Sequence, residues 1–137
     1  MREQPTPDLD AALVLGMAST AIPFARSREE EAERWLRILR LHGEAGAALQ
    51  ALGVSEAPLE GTGSHEDEAG HSDSEDIVAR VGDAAAVGAG RRQAQCFTTI
   101  DVLVAVMDVY GNDFNQVLRS HGTDRQEVLD RLHPLAA

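Results

Sequence analysis

The chain's histidines and acids gather most densely between residues 65 and 73, and these residue types are the ones that hold metal ions. The group consists of His65, Glu66, Asp67, Glu68, His71 and Asp73. Structural zinc sites usually include Cys, and the separation of the two histidines matches no recognised ligand spacing. The stretch is also polar and rich in Gly and Ser, which favours a solvated acidic linker over a metal site. We therefore expect no bound metal.

Nucleophilic and cofactor chemistry lack their usual residues. No Gly-x-Ser-x-Gly motif is present. The single cysteine, Cys96, stands beside Phe97 with no base near it in sequence, so we expect a small buried hydrophobe there. All twelve cations are Arg, which excludes a Schiff-base lysine and a P-loop lysine. The sequence thus predicts no catalytic residue, no cofactor and no enzymatic activity.

The charge of the chain argues against two classes of partner. The formal net charge is −11. Seven acids and no Arg lie within residues 60–76, and the remainder carries only −4. Phosphate backbones and anionic membrane surfaces repel such a protein, so we expect neither nucleic acid nor membrane as a partner. One cysteine, no secretory signal and no apolar run long enough for a bilayer predict a cytoplasmic protein.

The elements that carry these residues are predicted to be helical throughout. Ala-rich segments with few β-branched residues favour helix over sheet, so the fold class is all-α and no strand is expected. Asp8 caps a first helix, whose apolar positions fall at Leu9, Leu13, Gly16, Met17 and Thr20. Ser27 caps the second, in which Glu33–Arg37 and Glu30–Arg34 lie on the solvent side. The seven predicted helices cover about residues 8–22, 28–42, 44–53, 75–89, 99–110, 113–121 and 124–133.

The two halves of the chain repeat one order of elements. A helix that ends at Gly43 is followed by a short helix and Gly53, and the same order recurs at Gly111 and Gly122. A duplicated helical unit explains this better than chance. We therefore predict a single domain of two pseudo-symmetric repeats with seven to eight helices. Repeat one covers about residues 8–57, the flexible acidic linker 58–74, and repeat two about 75–133.

Two segments of the second half are similar to segments of a known family. They are Thr-Thr-Ile-Asp-Val-Leu-Val-Ala-Val-Met at 98–107 and Val-Leu-Arg-Ser-His-Gly at 117–122. They resemble the second repeat of the N-terminal domain of Clp unfoldases, nearest to the ClpA type. The first half is similar to that domain's first repeat, so the resemblance covers about residues 8–133. The family has a Glu-His pair in each repeat, and this chain departs from it in both. Arg34 stands at the His position in the first repeat, and Ile100-Asp101 stands at the position of the pair in the second.

The resemblance implies a non-catalytic binding module without the ATPase parts. Such a module docks adaptor proteins or substrate segments in a groove between repeats, as part of an unfoldase or as a free-standing regulator of Clp proteolysis. The implied partner is a Clp adaptor, a substrate or a Clp subunit. The alternative is a protein that sequesters a small molecule or cyclic peptide in the same groove.

Five residues are the candidate partner-binding groups. Glu33, Arg34 and Asp101 stand at or beside the positions of the family's Glu-His pair. Arg91 and Arg92 are paired guanidinium groups at the junction of the repeats, and such groups suit a carboxylate or an acidic partner. A solvated loop, or a contact with the protein's own acidic linker, is the alternative interpretation of that Arg pair. Trp35 is expected in the core, and His42, His121 and His133 are expected as cations at helix ends.

Overall fold

The computed structural model describes residues 5–54 and 74–136 of the chain, and this part is all-α apart from one very short pair of strands. The helices are α1 (Leu9–Ala21), α2 (Arg28–Arg40), α3 (Gly43–Ala51), α4 (Ser74–Arg91), α5 (Thr99–Tyr110), α6 (Asn112–Ser120) and α7 (Arg125–Ala136). All seven predicted helices are confirmed, with ends that differ by no more than three residues. Residues 58–73 of the predicted acidic linker, which include His65 and His71, lie outside the described residues.

Local capping explains where two of these helices begin. The Asp8 side chain accepts a hydrogen bond from the Ala11 N–H at 2.9 Å at the start of α1. Ser27 Oγ accepts from the Glu30 N–H at 3.1 Å at the start of α2. Each bond satisfies a backbone donor that has no partner inside the helix, which is why these residue types mark helix starts in the sequence.

The expectation of no strand was wrong. β1 (Thr6–Pro7) pairs in parallel with β2 (Cys96–Phe97), and the Asp8 N–H donates to the Phe97 carbonyl at 2.9 Å. Side chains of a strand alternate between its faces, so Phe97 points into the core while Cys96 is exposed. The prediction of a buried Cys96 was therefore also wrong.

α5 is the centre of the fold. It contacts all six other described helices, and nine of its twelve residues are buried. Its Val104 is half-buried. Six large apolar side chains of the core, in α5 and in the helices around it, are fully enclosed: Leu36, Leu39, Leu49, Leu103, Met107 and Leu118. A helix that is apolar nearly all round is buried on every side, and α5 has this composition.

The order of elements in the first half recurs in the second. α3 and α6 each have nine residues, and a glycine with positive φ lies where each begins. Gly43 is the first residue of α3, and Gly111 lies between the end of α5 and the start of α6. A second such glycine comes two residues after the last residue of each helix, Gly53 with φ 95° and Gly122 with φ 92°. At both ends the N–H of the following residue donates to a carbonyl near the end of the helix, at 3.0 Å. Left-handed glycines of this kind are a common way to close a helix.

Candidate functional site

Arg92 and Asp101 form an ion pair at the junction between α4 and α5. Two Arg92 nitrogens contact the two Asp101 carboxylate oxygens, at 2.5 and 3.1 Å. Asp101 also accepts from the Thr98 N–H and completes the capping box of α5. The hydrogen bond from Asp101 raises the pKa of Arg92 further above its ordinary value. The structure thus brings two of the five candidate residues together and uses their charges to hold the start of α5.

Glu33 is buried, so its predicted place on the solvent side with Arg37 was wrong. Its side chain is 8% exposed and lies against His121, which is 5% exposed, with Oε1 to Nε2 at 3.3 Å. The second oxygen, Oε2, is buried without a hydrogen-bond partner among the described residues. His121 follows the last residue of α6. It therefore lies at a helix end, as predicted, and in addition is a buried partner of α2, which was not predicted.

Arg34 and Arg91 lie apart from these two pairs. One Arg34 nitrogen donates to the Ala21 carbonyl at 2.8 Å and the other contacts Glu30 at 2.9 Å, which confirms the predicted i,i+4 pair. Burial alone would raise the pKa of Glu30. The hydrogen bonds from the Arg26 N–H and from Arg34 outweigh it and hold that pKa below its ordinary value. Arg91 ends α4 with an exposed side chain. The hydrogen bonds of the described residues therefore do not join the five candidates into one cluster.

A buried polar network joins α2 to α5 and was not predicted. Trp35 Nε1 donates to the Tyr110 hydroxyl at 3.0 Å, and that hydroxyl donates to Glu31 Oε1 at 2.8 Å. The Arg28 guanidinium lies 4.8 Å from the centroid of the Tyr110 ring and contacts Asp113. Burial, and then the hydrogen bond to Glu31, raise the pKa of Tyr110 well above its ordinary value. The one sequence signal for this network is that the chain has a single Trp and a single Tyr.

α1 carries an exposed apolar stripe, made of Leu9, Leu13 and Met17. These side chains are 76%, 47% and 42% exposed, respectively. The buried side of α1 consists of Ala11, Val14 and Ala18. The apolar positions that the sequence identified at 9, 13 and 17 are thus the solvent face of this helix. Large apolar side chains in such a row, at i, i+4 and i+8, are typical of a surface that another molecule covers.

Other kinds of site find no support in the part of the chain that the structure describes. No three or more His, Cys, Asp or Glu side chains there are placed to hold a metal ion. None of the described helices combines the length and the apolar character needed to cross a bilayer. The candidate functional surface is the apolar stripe, on the exposure of Leu9, Leu13 and Met17.

A comparison of the chain with protein-family models, with curated proteins and with solved structures finds no significant match.

Proposed function

We propose that this chain is a non-catalytic protein-binding module of the Clp N-terminal type, which docks an adaptor or a substrate segment. The observation that carries the binding function is the exposed apolar stripe of α1. Complete exposure of a Leu or Met side chain costs roughly 1.5–3 kcal/mol relative to burial. Leu9 is 76% exposed and bears most of that cost, whereas Leu13 and Met17, at 47% and 42%, each bear about half, and a bound partner recovers part of it. We further propose that the module works in the cytoplasm.

The assignment to the Clp type rests on the resemblance in sequence and on the order of elements. The succession α2, Gly43, α3, Gly53 has the same arrangement as α5, Gly111, α6, Gly122. That succession supports two pseudo-symmetric repeats, with α1 and α4 as their opening helices. A free-standing module of this kind regulates Clp proteolysis by competing with the ATPase ring for the same adaptors or substrates.

A competition assay tests this function. Purified chain is added to a Clp ring and protease from the same source, with one substrate that needs an adaptor and one that does not. We expect the chain to slow degradation of the adaptor-dependent substrate, with relief when more adaptor is added. Equal rates with and without the chain, over a wide concentration range, would argue against the Clp assignment.

Sequestration of a peptide-like compound on the same apolar face is the second candidate. It is favoured by the thioether of Met17, since Met side chains adapt to ligands of different shapes. A ligand that binds only the folded state raises the melting temperature. A thermal-shift screen of cyclic and linear apolar peptides therefore separates the candidates: a strong shift with no effect in the Clp assay would favour sequestration.

A further inference from the structure

The stripe of α1 has a gap that the fold itself does not require. Gly16 lies inside α1, three residues from Leu13, and is exposed. A Cβ added at Gly16 would meet no atom within 4 Å. By contrast, a Cβ on Gly46 would lie 2.7 Å from the Arg40 carbonyl oxygen, so Gly46 is needed for packing. Glycine in a helix interior is less stable than alanine, and no contact within the described structure offsets that cost at Gly16.

A small residue on an exposed apolar face admits the close approach of another element. Gly16, Leu13 and Thr20 follow one another at helical spacings of three and four, so the gap is on the stripe. The backbone of α1 is already hydrogen-bonded within the helix and offers a partner no strand edge. A partner that also satisfies its own backbone groups, namely a helix, suits such a face best, packing side-chain ridges into grooves.

The charged side chains of α1 and its N-cap are acidic, whereas a cation of α2, Arg34, donates to the Ala21 carbonyl at the opposite end of the helix. Residues 5–25 contain two charged side chains, Asp8 and Asp10, and no cation. Asp10 is exposed in the first turn of α1. The whole chain carries −11, which attracts a cationic partner over distance. An acidic helix would meet repulsion at the same surface.

We propose that α1, through Leu9, Leu13, Met17 and the gap at Gly16, docks one amphipathic helix of a partner protein that has a Leu-rich face bordered by Arg or Lys. This inference deepens the proposed function and rests on it, because it names the class of segment that the module recognises. The apolar face of the partner helix covers the stripe. Its cations lie toward the exposed carboxylate of Asp10.

The test uses two fluorescent synthetic helices of equal length, one with Leu on one face and Lys on the other, and one with Glu in place of every Lys. Binding to the full chain is followed by anisotropy at physiological salt. The variants are Leu13→Gln and Gly16→Gln. The matched controls are Leu41→Gln, at an exposed leucine of another region, and Gly88→Gln, at a helical glycine whose Cβ would also meet open space. Thermal unfolding of each variant checks that it is folded.

We expect the Lys helix to bind and the Glu helix to bind at least about tenfold more weakly. We expect Leu13→Gln and Gly16→Gln to raise the Kd for the Lys helix by about tenfold or more, and the two controls by less than about twofold. Gly16→Gln should also melt at a higher temperature than the wild type, so its loss of binding cannot be a loss of folding.

Three results would overturn the proposal. The first is that the Lys helix does not bind, and the second is that the Glu helix binds equally well. The third is that Leu13→Gln and Gly16→Gln leave the binding of the Lys helix unchanged, as expected for unspecific attraction to an acidic protein. Failure here is distinct from failure of the proposed function. If wild type and Leu13→Gln inhibit adaptor-dependent degradation equally, the proposed function is supported and the α1 surface is ruled out. If the chain binds the Lys helix through the stripe but does not affect degradation, the α1 surface is supported and the Clp assignment is ruled out.

Discussion

Trp35 Nε1 donates a hydrogen bond to the Tyr110 hydroxyl at 3.0 Å, and this bond joins α2 to α5 through the chain's one tryptophan and one tyrosine. The two residues are 75 positions apart, so the bond ties the first half of the chain to the second. Because no other residue contributes a tryptophan or tyrosine signal, each group can be observed separately by spectroscopy. That property makes the contact between the halves directly measurable.

Tyr110→Phe removes the hydroxyl and leaves both Trp35 Nε1 and Glu31 Oε1 without this buried partner. An unsatisfied buried polar group costs about 1–3 kcal/mol, so we expect a loss of at least that size in the free energy of unfolding. Denaturant unfolding followed by Trp35 fluorescence measures it. An unchanged midpoint would mean that the network does not contribute to stability.

Ionisation of Tyr110 predicts a specific loss of stability in alkali. The folded-state pKa of Tyr110 is raised by burial, whereas in the unfolded chain it is about 10. The folded state therefore keeps the proton where the unfolded state loses it. This stabilisation is fully present below about pH 10 and is lost as the pH rises further.

The tyrosinate absorption band should accordingly appear only when the protein unfolds, and Tyr110→Phe should remove this part of the alkaline loss. A tyrosinate band that develops near pH 10 with the folded signal of Trp35 intact would contradict the buried position of Tyr110.

Glu33 and His121 should be strongly coupled in stability. His121→Ala leaves a buried carboxylate with no described partner, which costs about 3 kcal/mol or more in comparable pairs. The double variant Glu33→Met with His121→Leu replaces both polar groups and should recover most of that loss. Denaturant unfolding of Glu33→Met, His121→Leu and the double variant gives the coupling energy. Additive effects would show that the two side chains do not interact.

Leu39→Ala and Leu103→Ala should each cost about 2–5 kcal/mol, because both side chains are fully buried in the common core of α2 and α5. Leu41→Ala is the matched control: Leu41 lies two positions from Leu39 and is 55% exposed, so its loss should stay within about 0.5 kcal/mol. A cost below about 1 kcal/mol at both buried sites would contradict the assigned faces.

Features that depend on neighbouring residues were predictable from the sequence, whereas long-range partners were not. The caps at Asp8 and Ser27 act over three residues, and the buried run of α5 is visible in its composition. Glu33 lies 88 positions from His121, and nothing near Glu33 in sequence distinguishes it from the solvent-exposed acids of the same helix. The pair of strands was missed because two residues are too short to show an alternating pattern.

The orientation of α1 was ambiguous for a different reason. Both sides of the helix are apolar, with small residues such as Ala11 and Ala18 on one side and Leu13 and Met17 on the other. Only the space available beside α1 decides which side is buried, and the smaller side chains allow closer packing against its neighbours. The candidate surface therefore became visible only in the fold.

Affinity capture with three forms of the chain tests whether the apolar stripe of α1 binds a component of the Clp system. Wild type, Leu13→Gln and the control Leu41→Gln are immobilised, exposed to extract from the source, and the bound proteins are identified by mass spectrometry. We expect wild type and Leu41→Gln to retain a Clp adaptor, a Clp substrate or a Clp subunit, and Leu13→Gln to lose it. Absence of every Clp component from the wild-type sample would contradict the proposed function, and equal retention by Leu13→Gln would contradict the proposed surface.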